Sequence, residues 1–321
     1  MTSRVRRPSV LAGGLAVLLA GCGQDEAAGP SEPASLVIEH HYGSTTISGS
    51  PKRVVTMSGS WTDALIALEV PILAEYVTTG YSGPGNRFSW TPEHESQLIE
   101  MTTLAEISIE KLAALQPDLI LAGYVGDKAT YDKLAAVAPT VPVMDAKAVL
   151  DSWQDVTTTA GRIVGQDDQA KQLVTEVEKK VTDFRAAHPL DGKTFVFGQL
   201  TADGQFGLVA DETDPATKLI TSATGMKLLP AIKTVAKGNT RVMISAERVD
   251  LLAADFVLMW PLSGGPEQFA KVPGWNALPA ARTGATLFLT NDNAAAFGNP
   301  TIYSVPYTLT LMQPALTKLT S

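Results

Sequence analysis

Two stretches of this chain read as one phrase written twice. ISIEKLAALQPDLIL runs from Ile107 to Leu121, and ISAERVDLLAADFVL runs from Ile244 to Leu258. Aligned without a gap, they share the Ile, the Ser, the Glu, one Leu, the Asp and the closing Leu, and Lys111 matches Arg248 in charge. Each copy has the pattern of a helix feeding a buried strand. Ser108 and Ser245 are natural N-caps, so Glu110 and Glu247 take the second helical position, where the helix dipole favours a carboxylate. Leu112 and Leu115, with Val249 and Leu252, would cover a sheet, and DLIL and DFVL are the strands. Aromatics stand just past both strands, Tyr124 in LAGY and Trp260 in LMW. Ligands of open α/β sheets collect outside the carboxyl ends of the strands. Two such rims predict one cleft between two lobes, with both glutamates at the opposite ends of their units, on the outer surface.

The rest of the chain fits that duplication. SLVIEHHYGSTTISG has the alternation of a hairpin turning near Gly43-Ser44. PKRVVTMSG reads as a strand, and SWTDALIALEV as a helix behind Ser60 or Asp63 as cap. PILAEYVTTG is a strand, YSGPGNRFSWTPEH a Gly/Pro-rich loop, and TYDKLAAVAPTVPVMD a helix and strand. An amphipathic helix follows from Ser152 to Gly165. After Asp167-Asp168, Leu173, Val177, Val181 and Phe184 recur at helical spacing until Pro189 closes the run. About 20 residues at 1.5 Å each give roughly 30 Å, enough to join two lobes. KTFVFGQL, a Gly-rich loop, a helix from about Pro215, the second phrase, GWNALPAARTG, ATLFLT and a last helix from about Thr301 complete the second half. Helices alternating with short apolar runs indicate mostly parallel sheets flanked by helices. The predicted organisation is an N-terminal lobe over 36–165, a linker helix over 166–189 and a C-terminal lobe over 190–321.

The ends and the charge bound the surroundings. Residues 1–21 carry Arg4, Arg6 and Arg7 ahead of an apolar run from Val10 to Ala20, a secretory signal too short to span a membrane. Leu19, Ala20, Gly21 and Cys22 resemble a bacterial lipobox, which would leave Cys22 lipidated. It is the chain's one cysteine, so disulfides and cysteine metal clusters are excluded. Residues 22–35 read as a flexible acidic tether. The 25 basic and 33 acidic side chains give a net charge of −8, and removing residues 1–21 takes away three arginines and no acid, leaving −11. That balance excludes a nucleic-acid partner and a polybasic membrane patch, so the lipid would be the anchor.

In order along the chain, SPKRVVTMSGSWTDALIALEV, ISIEKLAALQPDLIL, the connecting helix, and ISAERVDLLAADFVL with GWNALPAARTG resemble the substrate-binding proteins of iron–siderophore, haem and cobalamin ABC importers. The resemblance implies a class III periplasmic-binding-protein-like fold, two α/β lobes on one rigid helix that permits little hinge motion, with a metal chelate in a shallow cleft. It implies that Glu110 and Glu247 dock the lobes onto arginines of a permease, the alternative being dipole-matched surface acids. Tyr124 matches a cleft tyrosine of the family. One departure stands at Ala67-Leu68-Glu69-Val70, where the family usually writes ALGV; a non-glycine residue in the left-handed helix-ending conformation costs around 1 kcal/mol.

Candidate cleft residues come from loops at strand ends: Trp61, Tyr81, Arg87, Trp90 and Tyr124 from the first half, and Phe206, Arg241, Trp260, Phe297 and Tyr303 from the second. Aromatic faces with a few donors suit a large chelate. Packing in the core is the alternative for each aromatic. Few basic candidates point away from a highly anionic tricatecholate and toward a neutral or apolar ferric siderophore. Haem is the alternative guest, with Tyr124, Tyr81 or Tyr303 as axial ligand, and cobalamin a further one; no covalent cofactor is expected. A bare metal ion needs three or four converging ligands, and the four histidines are scattered. An enzyme is the rival class, but Walker A, G-x-S-x-G and H-E-x-x-H motifs are missing, and acids such as Asp203 and Asp292 read as turn formers. A ligand-less cell-envelope lipoprotein is a third class. The expected protein is a monomeric, extracytoplasmic, lipid-anchored receptor for a ferric siderophore.

Overall fold

The computed structural model describes residues 35–79 and 83–320. The signal, Cys22 and most of the tether lie outside them, as does Tyr81. A two-stranded antiparallel hairpin opens the described chain, β1 (Ser35–His40) and β2 (Gly43–Ser48), with His40 paired to Gly43. The turn is therefore His41-Tyr42, two residues earlier than the glycine signal suggested.

The first lobe is a five-stranded, all-parallel sheet. Its elements are β3 (Val54–Thr56), helix α1 (Gly59–Ala67), β4 (Ala74–Thr78), β5 (Gln97–Met101), α2 (Ile109–Ala114), β6 (Leu119–Gly123), α3 (Lys128–Ala135) and β7 (Thr140–Pro142), in the strand order β5-β4-β3-β6-β7. Val54, Val55, Leu119, Ile120 and Leu121 are all fully buried, as a sheet covered on both faces demands. The N-cap position of α1 is Ser58, not Ser60 or Asp63, and its side chain makes no capping bond. Asp63 is instead turned into the protein, completely buried.

Helix α4 (Trp153–Val164) starts at the Ser152 cap and ends on Gly165 in the left-handed conformation, as its sequence suggests. Helix α5 (Asp167–Ala187) follows, with Asp167 and Asp168 in its first turn and Ala170, Val174 and Val177 buried. Leu173, Val181 and Phe184 pack against the second lobe's core. The connector is thus clamped along one face, not a free rod.

The second lobe is a mixed six-stranded sheet. It comprises β8 (Thr194–Leu200), β9 (Gln205–Val209), α6 (Pro215–Thr224), β10 (Lys227–Leu228), α7 (Pro230–Ala236), β11 (Arg241–Ser245), β12 (Phe256–Pro261), α8 (Glu267–Ala270), α9 (Pro279–Thr283), β13 (Thr286–Phe288), α10 (Asn291–Gly298) and α11 (Ser304–Thr320). The order is β11-β9-β8-β12-β13, with β10 beside β8. The Gly-rich segment after β8 turns back as antiparallel β9, and α10, unsignalled in sequence, precedes the last helix.

The repeated phrase performs the same task twice. Asp118 accepts the backbone amides of Lys52 and Arg53 at 2.8 and 2.9 Å, and Asp255 accepts the amide and hydroxyl of Thr194 at 2.8 and 3.1 Å. Each carboxylate therefore pins the amino end of its lobe's central strand. The copies diverge in the helix: α2 is α-helical, whereas residues 246–252 form a 3₁₀ helix kinked at Arg248. Leu112 and Leu252 are both fully buried.

At the family departure, Glu69 has φ 56°. Its amide reaches the Ile66 carbonyl and that of Val70 reaches Leu65, both at 2.9 Å, the two bonds of a Schellman end. The helix end survives without glycine, at the expense of left-handed strain. Glu69→Gly is expected to raise stability by about 1 kcal/mol, seen as a melting temperature higher by about 2–4 °C; an unchanged or lower value would deny that strain.

Candidate functional site

A hollow of about 730 Å³ lies at the carboxyl end of the first sheet, within the size range of small-molecule sites. Its floor follows from strand direction. Tyr76, Val77 and Thr78 end β4, Met101, Thr103 and Leu104 follow β5, and Tyr124 and Asp127 follow β6. Gly123 is needed there: it has φ +65°, and a Cβ would lie 2.8 Å from that of Ser58. That close approach delivers Tyr124 to the rim, where it is 53% exposed. Among the described residues, the second lobe reaches the cavity through Ala295 of α10 and Asn299 just beyond it.

The loop over residues 83–96 forms the remaining wall, with Asn86, Arg87 and Phe88 facing in. Phe88 stacks on Trp90 at 4.4 Å and 10°, and Trp90 is buried. Three donors then meet on Asp63: Trp90 Nε1 at 3.0 Å, the Thr91 hydroxyl at 2.7 Å, and the hydroxyl of Thr301 from the second lobe. Burial pushes the Asp63 carboxyl up to about 6, against the lowering effect of those three bonds. Nearby, Asp292 at the start of α10 accepts the Ser89 hydroxyl at 2.5 Å and its amide at 3.3 Å. The loop that walls the cavity is thus tied to both lobes, and Asp292, an apparent turn former in sequence, is one of the ties.

Of the residues singled out from sequence, Arg87 and Tyr124 line this cavity and Trp90 supports it from behind. Trp61, Phe206 and Phe297 have no exposed surface and belong to hydrophobic cores. Trp260 and Tyr303 are part-buried against the second lobe's core and do not line the cavity. Burial, then the charges of Asp63 and Glu69, raise the Tyr303 hydroxyl above its ordinary range. Arg241 begins β11, which shares the direction of β8, so it sits at the amino end of the sheet and pairs with Asp214 at 3.3 Å. Strands buried on both faces carry apolar side chains on each, so Phe206 and Trp260 look alike in sequence whether they face core or rim; Phe297 lies on the buried side of helix α10. Tyr76, Phe88, Met101 and Glu75 were missed, although the strand-end rule that selected Tyr124 also points to the ends of β4 and β5.

Glu110 and Glu247 are both exposed and outside the cavity. Their placement corrects the sequence reading. A crossover helix begins where the preceding strand finishes, so α2 starts at the carboxyl end of β5 and residues 246–252 at that of β11. Both acids therefore stand at the carboxyl ends of their sheets, the end that holds the cavity, and not on the far side. The Glu110 carboxyl is held below its usual range by its own backbone amide and by the Ser108 hydroxyl at 3.0 Å.

Comparison with known proteins now places the fold. A model of the periplasmic binding protein family matches residues 54–292. The chain belongs to the periplasmic binding protein family. Among relatives of this periplasmic binding protein, the Fe(3+)-citrate-binding protein YfmC of Bacillus subtilis (strain 168) is 26% identical over 295 residues, 88% of each chain. A periplasmic solute binding protein from Mycobacterium smegmatis superposes with a TM-score of 0.74 at 24% identity, covering 89% of this chain and 99% of that one. PiaA of Streptococcus pneumoniae TIGR4, in complex with ferrichrome, superposes with a TM-score of 0.70 at 23% identity, covering 88% and 99%. The two-lobed α/β architecture is shared throughout. Among the described residues no helix is long and apolar enough to cross a membrane.

Proposed function

We propose that this periplasmic binding protein captures a ferric siderophore in the cavity at the carboxyl end of its first sheet and delivers it to an ABC permease. The observation that carries this reading is the cavity itself: about 730 Å³, walled by Tyr76, Phe88, Met101, Leu104 and Tyr124, in a chain aligned along most of its length with an Fe(3+)-citrate-binding protein. Such a wall wraps the organic shell of a chelate while the chelator's own oxygens hold the iron. Cys22 would carry the lipid anchor outside the cytoplasm, Glu110 and Glu247 would meet the permease, and the receptor would act as a monomer. Haem is the alternative guest, favoured by the exposed Tyr124 phenol on the cavity wall, which has the reach of an axial ligand. Tyr303, outside the cavity, does not serve that role.

Trp90, stacked behind Phe88, is a built-in reporter. Titrating the protein with ferrichrome, other ferric chelates and haem is expected to quench tryptophan emission saturably at one equivalent for the matching guest. A haem-specific Soret shift without chelate binding would favour the haem reading. No saturable response to any of them would remove both.

A further inference from the structure

Three charged side chains line the cavity: Glu75, Arg87 and Asp127. Glu75, on β4, is only 4% exposed. Its Oε1 accepts Arg87 Nε at 2.9 Å and the Ser96 hydroxyl at 2.7 Å, and His94 Nε2 lies 3.1 Å from it. Oε2 receives no hydrogen bond from any described residue. Arg87 also places Nη2 2.9 Å from Glu75 Oε1 and donates from it to Ser96 Oγ at 2.9 Å. The one cation among these lining residues is therefore already matched by a buried carboxylate. Asp127 adds a second negative charge. It caps α3 by accepting the Thr130 amide at 2.8 Å, which holds its carboxyl below the usual range. With Arg87 held by Glu75, the surplus charge is that of the exposed Asp127, and no cation lining the cavity among the described residues is left free to meet an anionic guest.

That charge separates classes of ferric chelate. Three hydroxamates neutralise iron(III), so a ferric trihydroxamate is neutral, and one with a pendant ammonium is cationic. Three catecholates leave a threefold negative complex, and ferric citrate complexes are also anionic. Resting on the siderophore reading above, we infer that the cavity selects ferric trihydroxamates of zero or positive net charge over anionic catecholate and citrate chelates, because Glu75 occupies the one lining cation, Arg87, that an anionic guest would need. The apolar walls of Tyr76, Phe88 and Leu104 suit the methylene linkers of such a guest, and Glu75 Oε2 is placed to accept from an ammonium or amide group.

The test is an affinity ranking by tryptophan quenching and calorimetry, with cationic ferrioxamine B, neutral ferrichrome, ferric enterobactin and ferric citrate as probes. The first two are expected to bind about 100-fold more tightly than the anionic pair at low salt, with the gap narrowing as salt rises. Glu75→Gln should weaken ferrioxamine B about tenfold relative to ferrichrome and strengthen ferric enterobactin by a similar factor. The wild-type ranking stands as a test even if that variant folds poorly, and Asp127→Asn, which keeps a capping side chain, supplies a second variant with a smaller shift in the same direction. Tightest binding of an anionic chelate overturns the selectivity and leaves the siderophore function standing. Binding of no chelate overturns the function itself. A folded Glu75→Gln protein with wild-type selectivity removes Glu75 from the role.

Discussion

Reversing Glu110 and Glu247 together to lysine is expected to abolish chelate uptake by cells, while the purified variant should bind its guest within about twofold of wild type. The first half follows from where the acids stand. Both are exposed, on separate lobes, at the cavity end of their sheets, so a cationic permease surface could engage both lobes at once with the guest between them. The Glu110 carboxyl stays ionised through the physiological range because its own amide and the Ser108 hydroxyl hold it below its usual range. Replacing attraction by repulsion at two contacts should cost uptake about 100-fold or more, each single reversal about tenfold, with the single-site losses shrinking at high salt. The second half follows because neither residue lines the cavity. A lysine in a first helical turn opposes the dipole, so melting curves accompany the measurement. Radiolabelled iron uptake at wild-type rate in the double variant would sink the docking role, and lost affinity would relocate the acids to the guest.

Asp63→Ala should unfold the lobe junction. The side chain is fully buried and gathers Trp90, Thr91 and Thr301 from a loop and from the opposite lobe. Alanine strands the buried Trp90 and Thr301 donors and the part-buried Thr91 hydroxyl and leaves a void, a loss of about 3 kcal/mol or more, or a melting temperature lower by about 6–10 °C. Since the same loop carries Arg87 and Phe88, guest affinity should fall with it. Asp63→Asn separates geometry from charge. Its amide oxygen can take the Trp90 and Thr301 donors, and its NH₂ can donate to Thr91 with the hydroxyl turned. The folded-state value of about 6 stands above the ordinary 3.8 because of burial. The neutral form is therefore the one favoured by folding. This contribution, about 3 kcal/mol, is fully present below pH 4 and is lost as pH rises to about 6. Denaturation at pH 4, 5, 6 and 7 should show that decline in wild type and not in Asp63→Asn. Parallel pH profiles for the two proteins would contradict the assignment.

The fold was legible because its signals are local. The duplicated Ile-Ser-x-Glu phrase, the Ser152 and Gly165 boundaries of α4 and the 3.6-residue stripe of α5 each depend on a few neighbours in sequence. The site was legible at Tyr124, where a strand end announces it, and at Arg87, in the Gly/Pro-rich loop after β4. Helix α10 escaped notice because NDNAAAFG carries little amphipathic contrast, yet it and its C-cap Asn299 bring the second lobe to the cavity.

Local chemistry, then, determined the two α/β lobes and the long helix between them, since hydrogen-bond caps and hydrophobic periodicity act within a few residues. Only tertiary structure decided which aromatics are walls and which are core, that Glu75 on β4 pairs with Arg87 in the loop, that Asp118 and Asp255 anchor the central strands from distant segments, and that Asp63 meets Thr301 across 238 positions. Those outcomes depend on which faces pack together, and packing between distant segments leaves no periodic trace in the chain.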